Sequence, residues 1–356
     1  MIDINKFIRK NIKNLIPYQS ARRIKGKGDI WLNANESPFI QKKTFFFDNL
    51  NRYPDKEYKL LIKTYSQYLN INYKNILATR GSDEAIELLI KAFCEPQIDR
   101  IMIFPPTYDM YQVYANILNV EIISILQLKN FQIDLISLKK FIKQVKLIYI
   151  CNPNNPTGTL INPQDIIEIL NFTKNRCLVI IDEAYIEFCL KRTSINLIHN
   201  FDHLIVLRTL SKAFGLASIR CGFIIAHIEI INVIKKIIAP YPLSTPTLKI
   251  AQSFFSQKNL TILKKNVSEL NKNKKFLIKE LKNLSYIKKI FPSSANFILV
   301  SFYYSDKVFL QLLKNKIVTR NQNFKILLKN CIRISVGTYA ECVSLINTFQ
   351  VIQINI

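Results

Sequence analysis

Between residues 76 and 227, short apolar runs alternate with stretches whose apolar positions recur at helical spacing. The runs ILAT (76–79), RIMIFP (100–105), VEIISIL (120–126), LIYIC (147–151), CLVIIDEAY (177–185), LIVLRTLS (204–211) and CGFIIA (221–226) read as strands. The intervening SDEAIELLIKAF (82–93), YDMYQVYANIL (108–118), 135–143 and PQDIIEILNFT (163–173) read as helices. Near-continuous apolar strands separated by helical crossovers predict an α/β unit with a mostly parallel sheet, in which sites form beyond the carboxyl ends of the strands. Three prolines in APYPLSTP (239–246) remove backbone donors and disfavour helix, so a boundary is expected there. Lys-rich helical stretches follow, then YIKKIFPSSANFILVSF (286–302), KIVTR (316–320) and CIRISVG (331–337), which predict a smaller α+β unit. The expected division is an arm over 1–28 packing with the small unit or a partner, a large unit over 29–245 and a small unit over 246–356.

Composition narrows the class. At 356 residues and 49% hydrophobic content the chain buries a large core, which excludes disordered and disulfide-stapled proteins. Seven cysteines, without a C-x-x-C, lie mostly inside apolar runs and are expected as reduced core thiols of a cytoplasmic protein. No uninterrupted apolar run reaches membrane-span length, and residues 1–15 are broken by charge, unlike a signal peptide. The net charge of +25 raises nucleic acid as a partner, yet the lysines are scattered and form no basic arm, so a solvated basic surface is expected. Histidines 199, 203 and 227 have no metal-ligand spacing, and no metal is expected.

Four segments place chemistry at strand ends. In RGSDEAIELLI (80–90), Ser82 is expected as the N-cap of a helix with Asp83 and Glu84 in its first turn. That is either simple capping or a phosphate seat on free N–H groups, and the second reading requires both carboxylates to point away. ICNPNNPTGTL (150–160) is either a Pro-Gly loop or one that aims the Asn155 amide through a cis Asn155–Pro156 bond. Asp182 follows a buried apolar run, where a carboxylate is costly without a cationic partner, and Tyr185 lies within reach of the same ligand. Glu183 and Glu187 are expected at the surface or in supporting positions. Lys212, beside Ser211 and shortly before Arg220, is either a snorkelling surface lysine or an amine whose pKa burial lowers. Together, a carboxylate, an amine, a helix N-terminus and an arginine at the strand ends of one sheet are what pyridoxal 5′-phosphate requires.

On PYQSARR (17–23), WLNANESP (31–38), NRYP (51–54), TRGSDEAIELLIKAF (79–93), PPTYDMY (105–111), NPNNPTG (152–158), DEAYIEF (182–188), RTLSKAFGLASIRCG (208–222), APYPLSTP (239–246) and RISVG (333–337), the chain resembles fold type I pyridoxal-phosphate aminotransferases. Within them it is most similar to the histidinol-phosphate aminotransferase group. The resemblance implies a seven-stranded, mostly parallel sheet and a homodimer with a shared active site. It implies that Lys212 carries the cofactor and shuttles the proton, that Asp182 pairs with the ring nitrogen, and that Asn155 and Tyr185 bond the ring hydroxyl. Tyr108 would stack on the ring. Ser82, Asp83, Ser211 and Arg220 would hold the phosphate, with Tyr53 of a partner subunit. Arg333 would take the substrate carboxylate, while Arg320, Tyr18 and Asn33 would help receive a substrate phosphate. The implied reaction is amino exchange between L-histidinol phosphate and 2-oxoglutarate in histidine biosynthesis, by a ping-pong mechanism. Aromatic aminotransfer, or decarboxylation of a phosphorylated amino acid, is the alternative on the same scaffold; a cofactor-dependent nucleic-acid-binding regulator is the alternative outside it. The chain departs from the family pattern at Ser218, where glycine is usual, and in the Lys- and Leu-rich segment before Cys331.

Overall fold

The computed structural model describes residues 10–13, 28–39, 50–54 and 58–351. Tyr18, with the whole 17–23 motif, lies outside the described residues. A short helix α1 (Lys10–Lys13) and strand β1 (Ile30–Trp31) are followed by α2 (Lys59–Leu69), β2 (Ile76–Thr79), α3 (Gly81–Phe93) and β3 (Arg100–Ile103). The alternation continues through α4 (Met110–Leu118), β4 (Glu121–Ser124), α5 (Leu135–Phe141), β5 (Leu147–Cys151), α6 (Pro163–Thr173) and β6 (Leu178–Asp182). Strands β7 (Leu204–Thr209) and β8 (Gly222–Ala226) complete a seven-stranded sheet of order β2-β8-β7-β6-β5-β3-β4. Only β8 runs against its neighbours, so the sheet is mostly parallel, as the apolar runs predict. Buried side chains on both faces account for those continuous runs: Ile148, Ile150, Val179 and Ile181 pack into one core, and Leu147, Tyr149, Ile180 and Ile205 into the other.

Helices α7 (Ile228–Lys235), α8 (Thr245–Ser253) and the long α9 (Gln257–Leu281) lead to the second unit. There β9 (Ile287–Ile290), β10 (Phe297–Phe302), β12 (Arg320–Asn321) and β13 (Cys331–Ser335) form an antiparallel sheet of order β12-β13-β10-β9. Helices α10 (Ser305–Lys314) and α11 (Tyr339–Val351) accompany it, and β11 (Ile317–Val318) precedes β12. Two stretches join a different core from the one their position along the chain suggests. Ala251, Phe254 and Phe255, beyond the prolines, pack into the core of the large sheet. Strand β1 pairs in parallel with β11, and Leu32 packs into the core of the small unit. Helix α1 lies against α4 of the large unit, where Asn11 donates to the Asn116 and Ile117 carbonyls. Among the described residues the chain therefore passes between the units more than once, and residues 33–35 lie at the seam. Among the described residues no helix is long and apolar enough to cross a membrane, and all seven cysteines are free thiols, six of them buried.

Candidate active site

Strands β5, β6 and β7 end side by side, with Cys151 paired to Asp182 and Asp182 to Leu207 in register. The residues just beyond these ends, with the start of α3, line a cavity of about 150 Å³. Ser82, Asp83, Tyr108, Asn155, Asp182, Tyr185, Ser211, Lys212, Arg220 and Arg333 all line it.

Asp182 is almost wholly buried. Its Oδ2 accepts from the Tyr111 hydroxyl at 2.8 Å and its Oδ1 from the Ala184 N–H at 3.1 Å. Burial outweighs these bonds and pushes the carboxyl up to about 6. Lys212 lines the same cavity; its Nζ donates to the Ala34 carbonyl at 3.0 Å and stands 5.8 Å from the centre of the Tyr185 ring. Burial, and then the Arg333 cation, lower this amine to about 8. The Tyr185 hydroxyl accepts from Asn35 Nδ2 at 3.1 Å.

The helix start differs from the expected one. Helix α3 begins at Gly81, Arg80 occupies the N-cap without a side-chain cap bond, and Ser82 sits inside the first turn. The Arg80 N–H donates instead to Glu84 Oε2 at 2.6 Å, so the first turn is closed by an acid from within the helix. Glu84 thus faces away from the cavity, as a phosphate seat requires, but Asp83 does not. Its carboxylate accepts from the Tyr108 hydroxyl at 2.8 Å and pairs with Arg220 at 3.3 Å, a cation close enough to offset its charge beside an anion. Gly81 has φ +79°, and a Cβ there would stand 2.8 Å from Arg220 Nη2. A Cβ at Gly222 would stand 2.8 Å from the Ser82 nitrogen, so a glycine lets the arginine turn close on the helix start. Ser218 is exposed on that turn.

The Asn155–Pro156 bond is cis, as the aiming of Asn155 requires. Asn155 Oδ1 accepts from Arg333 Nη1 at 2.6 Å, and Arg333 Nη2 donates to the Asn33 carbonyl at 2.6 Å. Asn33 is buried and meets Arg333 through its main chain. Arg320 is half-buried on β12, directly across the strand pair from Arg333. Tyr53 does not line the cavity; it is exposed and stacks on Tyr241 with ring centres 4.6 Å apart.

Glu183 and Glu187 are buried rather than at the surface, because Arg208 on β7 pairs with both, at 2.8 and 2.9 Å. Thr193 completes the cluster by accepting from Arg208 and donating to Glu183. This cluster fastens the exit of β6 to β7, and so Asp182 to the strand leading into Lys212.

Residues 30–349 match the family described as aminotransferase class I and II. A histidinol-phosphate aminotransferase of Buchnera aphidicola subsp. Cinara cedri is 50% identical over 348 residues, covering 98% of this chain and 99% of its own. This chain belongs to the class I and II aminotransferases, in the histidinol-phosphate aminotransferase family. The solved histidinol-phosphate aminotransferase of Clostridium acetobutylicum superposes on this aminotransferase with a TM-score of 0.82 at 27% identity, covering 90% of this chain and 98% of its own. That of Sinorhizobium meliloti, solved with pyridoxal 5′-phosphate, has the same fold, with a TM-score of 0.84 at 20% identity and coverage of 96% and 97%.

Several residues that shape this aminotransferase's cavity have no strong signal in the sequence. Tyr111 is indistinguishable from the other aromatics of an amphipathic helix. Asn35 lies in an irregular stretch, where an amide suggests a turn. Arg208 did carry a signal: a lone arginine inside a buried strand demands buried acids, and Glu183 and Glu187 are the acids within reach.

Proposed function

We propose that the chain transfers an amino group between L-histidinol phosphate and 2-oxoglutarate, the aminotransfer step of histidine biosynthesis, with pyridoxal 5′-phosphate in the described cavity of a cytoplasmic homodimer. The single observation that carries the cofactor assignment is a buried carboxylate and a partly buried amine facing one cavity, Asp182 and Lys212, each shifted by desolvation towards its neutral form. A buried carboxylate with one hydroxyl and one N–H partner is suited to a cationic ring N–H on its cavity side. Ser82, Ser211 and Arg220 at the start of α3 suit a phosphate. Bound there, the cofactor supplies the carbonyl carbon on which amino groups are exchanged and a ring that accepts the electron density released at the donor carbon.

The chain's own groups divide the remaining work. Lys212 Nζ, lowered to about 8, takes and returns a proton near neutral pH. Asp182 holds the ring nitrogen's proton. Tyr108 presents a flat face whose tilt is fixed by its bond to Asp83. Asn155 and Tyr185 orient the ring hydroxyl. Arg333, with a planar fork already aimed by Asn155 and Asn33, receives a carboxylate bidentately. Arg320 extends this into an anion site that accepts the phosphate of one substrate and the carboxylate of the other, a role the resemblance implies also for Tyr18. Tyr53 of a second copy reaches the cofactor phosphate.

The test is titration of the purified holoenzyme with L-histidinol phosphate while the cofactor's visible band is followed, with Lys212→Ala in parallel. Bleaching in the wild type, together with no borohydride-fixed cofactor in the variant, is the expected result. A band bleached by phenylalanine but untouched by L-histidinol phosphate would reassign the donor. Cofactor fixed to another lysine in the variant would remove Lys212 from its role.

A further inference from the structure

Residues 322–330, joining β12 to β13, distribute their side chains against the usual partition. Phe324, Ile326 and Leu327 are 70, 51 and 49% exposed, whereas the Lys325 side chain is only 12% exposed. Burying an ammonium is unfavourable unless it is paired, so specific contacts and not apolar packing account for its position. Burial lowers the amine's pKa, Asp109 opposes that change, and Arg333 and Arg320 add to it. Lys325 Nζ donates to the Thr107 carbonyl at 3.0 Å and to Asp109 Oδ1 at 2.6 Å. Both acceptors belong to the large unit and flank Tyr108.

These contacts connect to residues that line the cavity. Thr107 Oγ1 donates to Asn154 Oδ1 at 2.9 Å, and Asn154 Nδ2 donates to the Pro106 carbonyl at 2.8 Å. The next residue, Asn155, accepts from Arg333. Arg333 lies on the strand that follows the Lys325 segment, and Arg320 on the strand that precedes it.

We propose that Lys325 and Asp109 form a clasp between the two units that fixes Arg320 and Arg333 relative to the Tyr108 side of the cavity, making them positioning residues for the anionic end of the substrate. This rests on the aminotransferase reading of the cavity. The Lys- and Leu-rich departure from the family pattern before Cys331 acquires a role by it: the lysine is the clasp.

The experiment compares Lys325→Asp, Asp109→Lys and the charge-exchanged double variant as holoenzymes, with Lys325→Met and Asp109→Asn as milder companions. It reads KM and kcat for L-histidinol phosphate and glutamate, and hydrogen exchange over 105–109 and 322–330. Each single variant should raise both KM values about tenfold or more with kcat changed less than about threefold, and should speed exchange in both segments. The double variant should return KM to within about threefold of wild type. A double variant as impaired as the worse single, or Asp109 variants indistinguishable from wild type while Lys325 variants fail, would overturn the clasp; the latter outcome would make Lys325 a direct substrate contact. Exchange reads the clasp without turnover, so wild-type protein inactive on both substrates would sink the functional reading separately.

Discussion

The Tyr111 hydroxyl donates to Asp182 Oδ2 at 2.8 Å, and the Tyr111 ring lies between Tyr108, edge-on at 5.7 Å, and Tyr149, stacked at 4.9 Å. One aromatic thus ties the buried carboxylate to the residue that faces the cavity. Tyr111→Phe keeps the packing and deletes the bond. Hydrogen bonds to a charged group contribute roughly 1.5–3 kcal/mol, so cofactor affinity should fall about tenfold or more. Equilibrium dialysis against pyridoxal phosphate checks this, and unchanged affinity would show that the bond does not tune Asp182.

Asp182 gives the cofactor-free protein a defined pH dependence. Its carboxyl moves from 3.8 unfolded to about 6 folded, so the native state binds the extra proton between those values. Stability from this group is therefore present below pH 4 and lost as pH rises through 6, an effect of about 3 kcal/mol. Asp182→Asn should stabilise the cofactor-free protein at pH 7.5 by up to that amount. In urea titrations its advantage should vanish below pH 4; an advantage independent of pH would contradict the assignment.

Arg333 donates from two different nitrogens to Asn155 and to the Asn33 carbonyl. A lysine has one nitrogen and cannot span both while presenting a planar fork. Arg333→Lys should raise the apparent KM for glutamate by roughly ten- to a hundredfold with a smaller change in kcat, as steady-state kinetics would reveal. A kcat loss with unaltered KM would place the residue in the chemical step instead.

Arg208→Ala leaves Glu183 and Glu187 buried without their cation. The expected destabilisation is about 3–5 kcal/mol, measured by denaturant unfolding. Replacing all three, with Arg208→Met, Glu183→Leu and Glu187→Leu, should recover most of it. A triple variant as unstable as the single one would show that the cluster contributes by shape and not by charge.

Most of the large sheet was legible because buried strands leave continuous apolar runs, although the runs at 177–185 and 204–211 extend past the ends of β6 and β7. The cavity was legible in parts: Asp182 and Lys212 stand out because each ionisable group follows an apolar strand. What stayed hidden depends on contacts across long separations. Glu183 reads equally as a surface or a supporting acid since Arg208 lies 25 positions further on, and nothing in the Lys- and Leu-rich segment before Cys331 singles out Lys325. The first turn of α3 was misjudged because Ser82 has the composition of a cap, while the competing bond from the Arg80 N–H to Glu84 is visible only in three dimensions.

The run from Asn33 to Asn35 meets Arg333 and Lys212 through two successive carbonyls and Tyr185 through the next side chain. Main-chain acceptors are blind to the amino acid that carries them, so exchanging the side chain at 33 or 34 leaves those two seats in place. Phase matters only for the side chain: with β1 held in place, a single inserted residue just upstream of position 33 would refill both carbonyl seats from the neighbouring residues and carry the Asn35 amide away from Tyr185 alone.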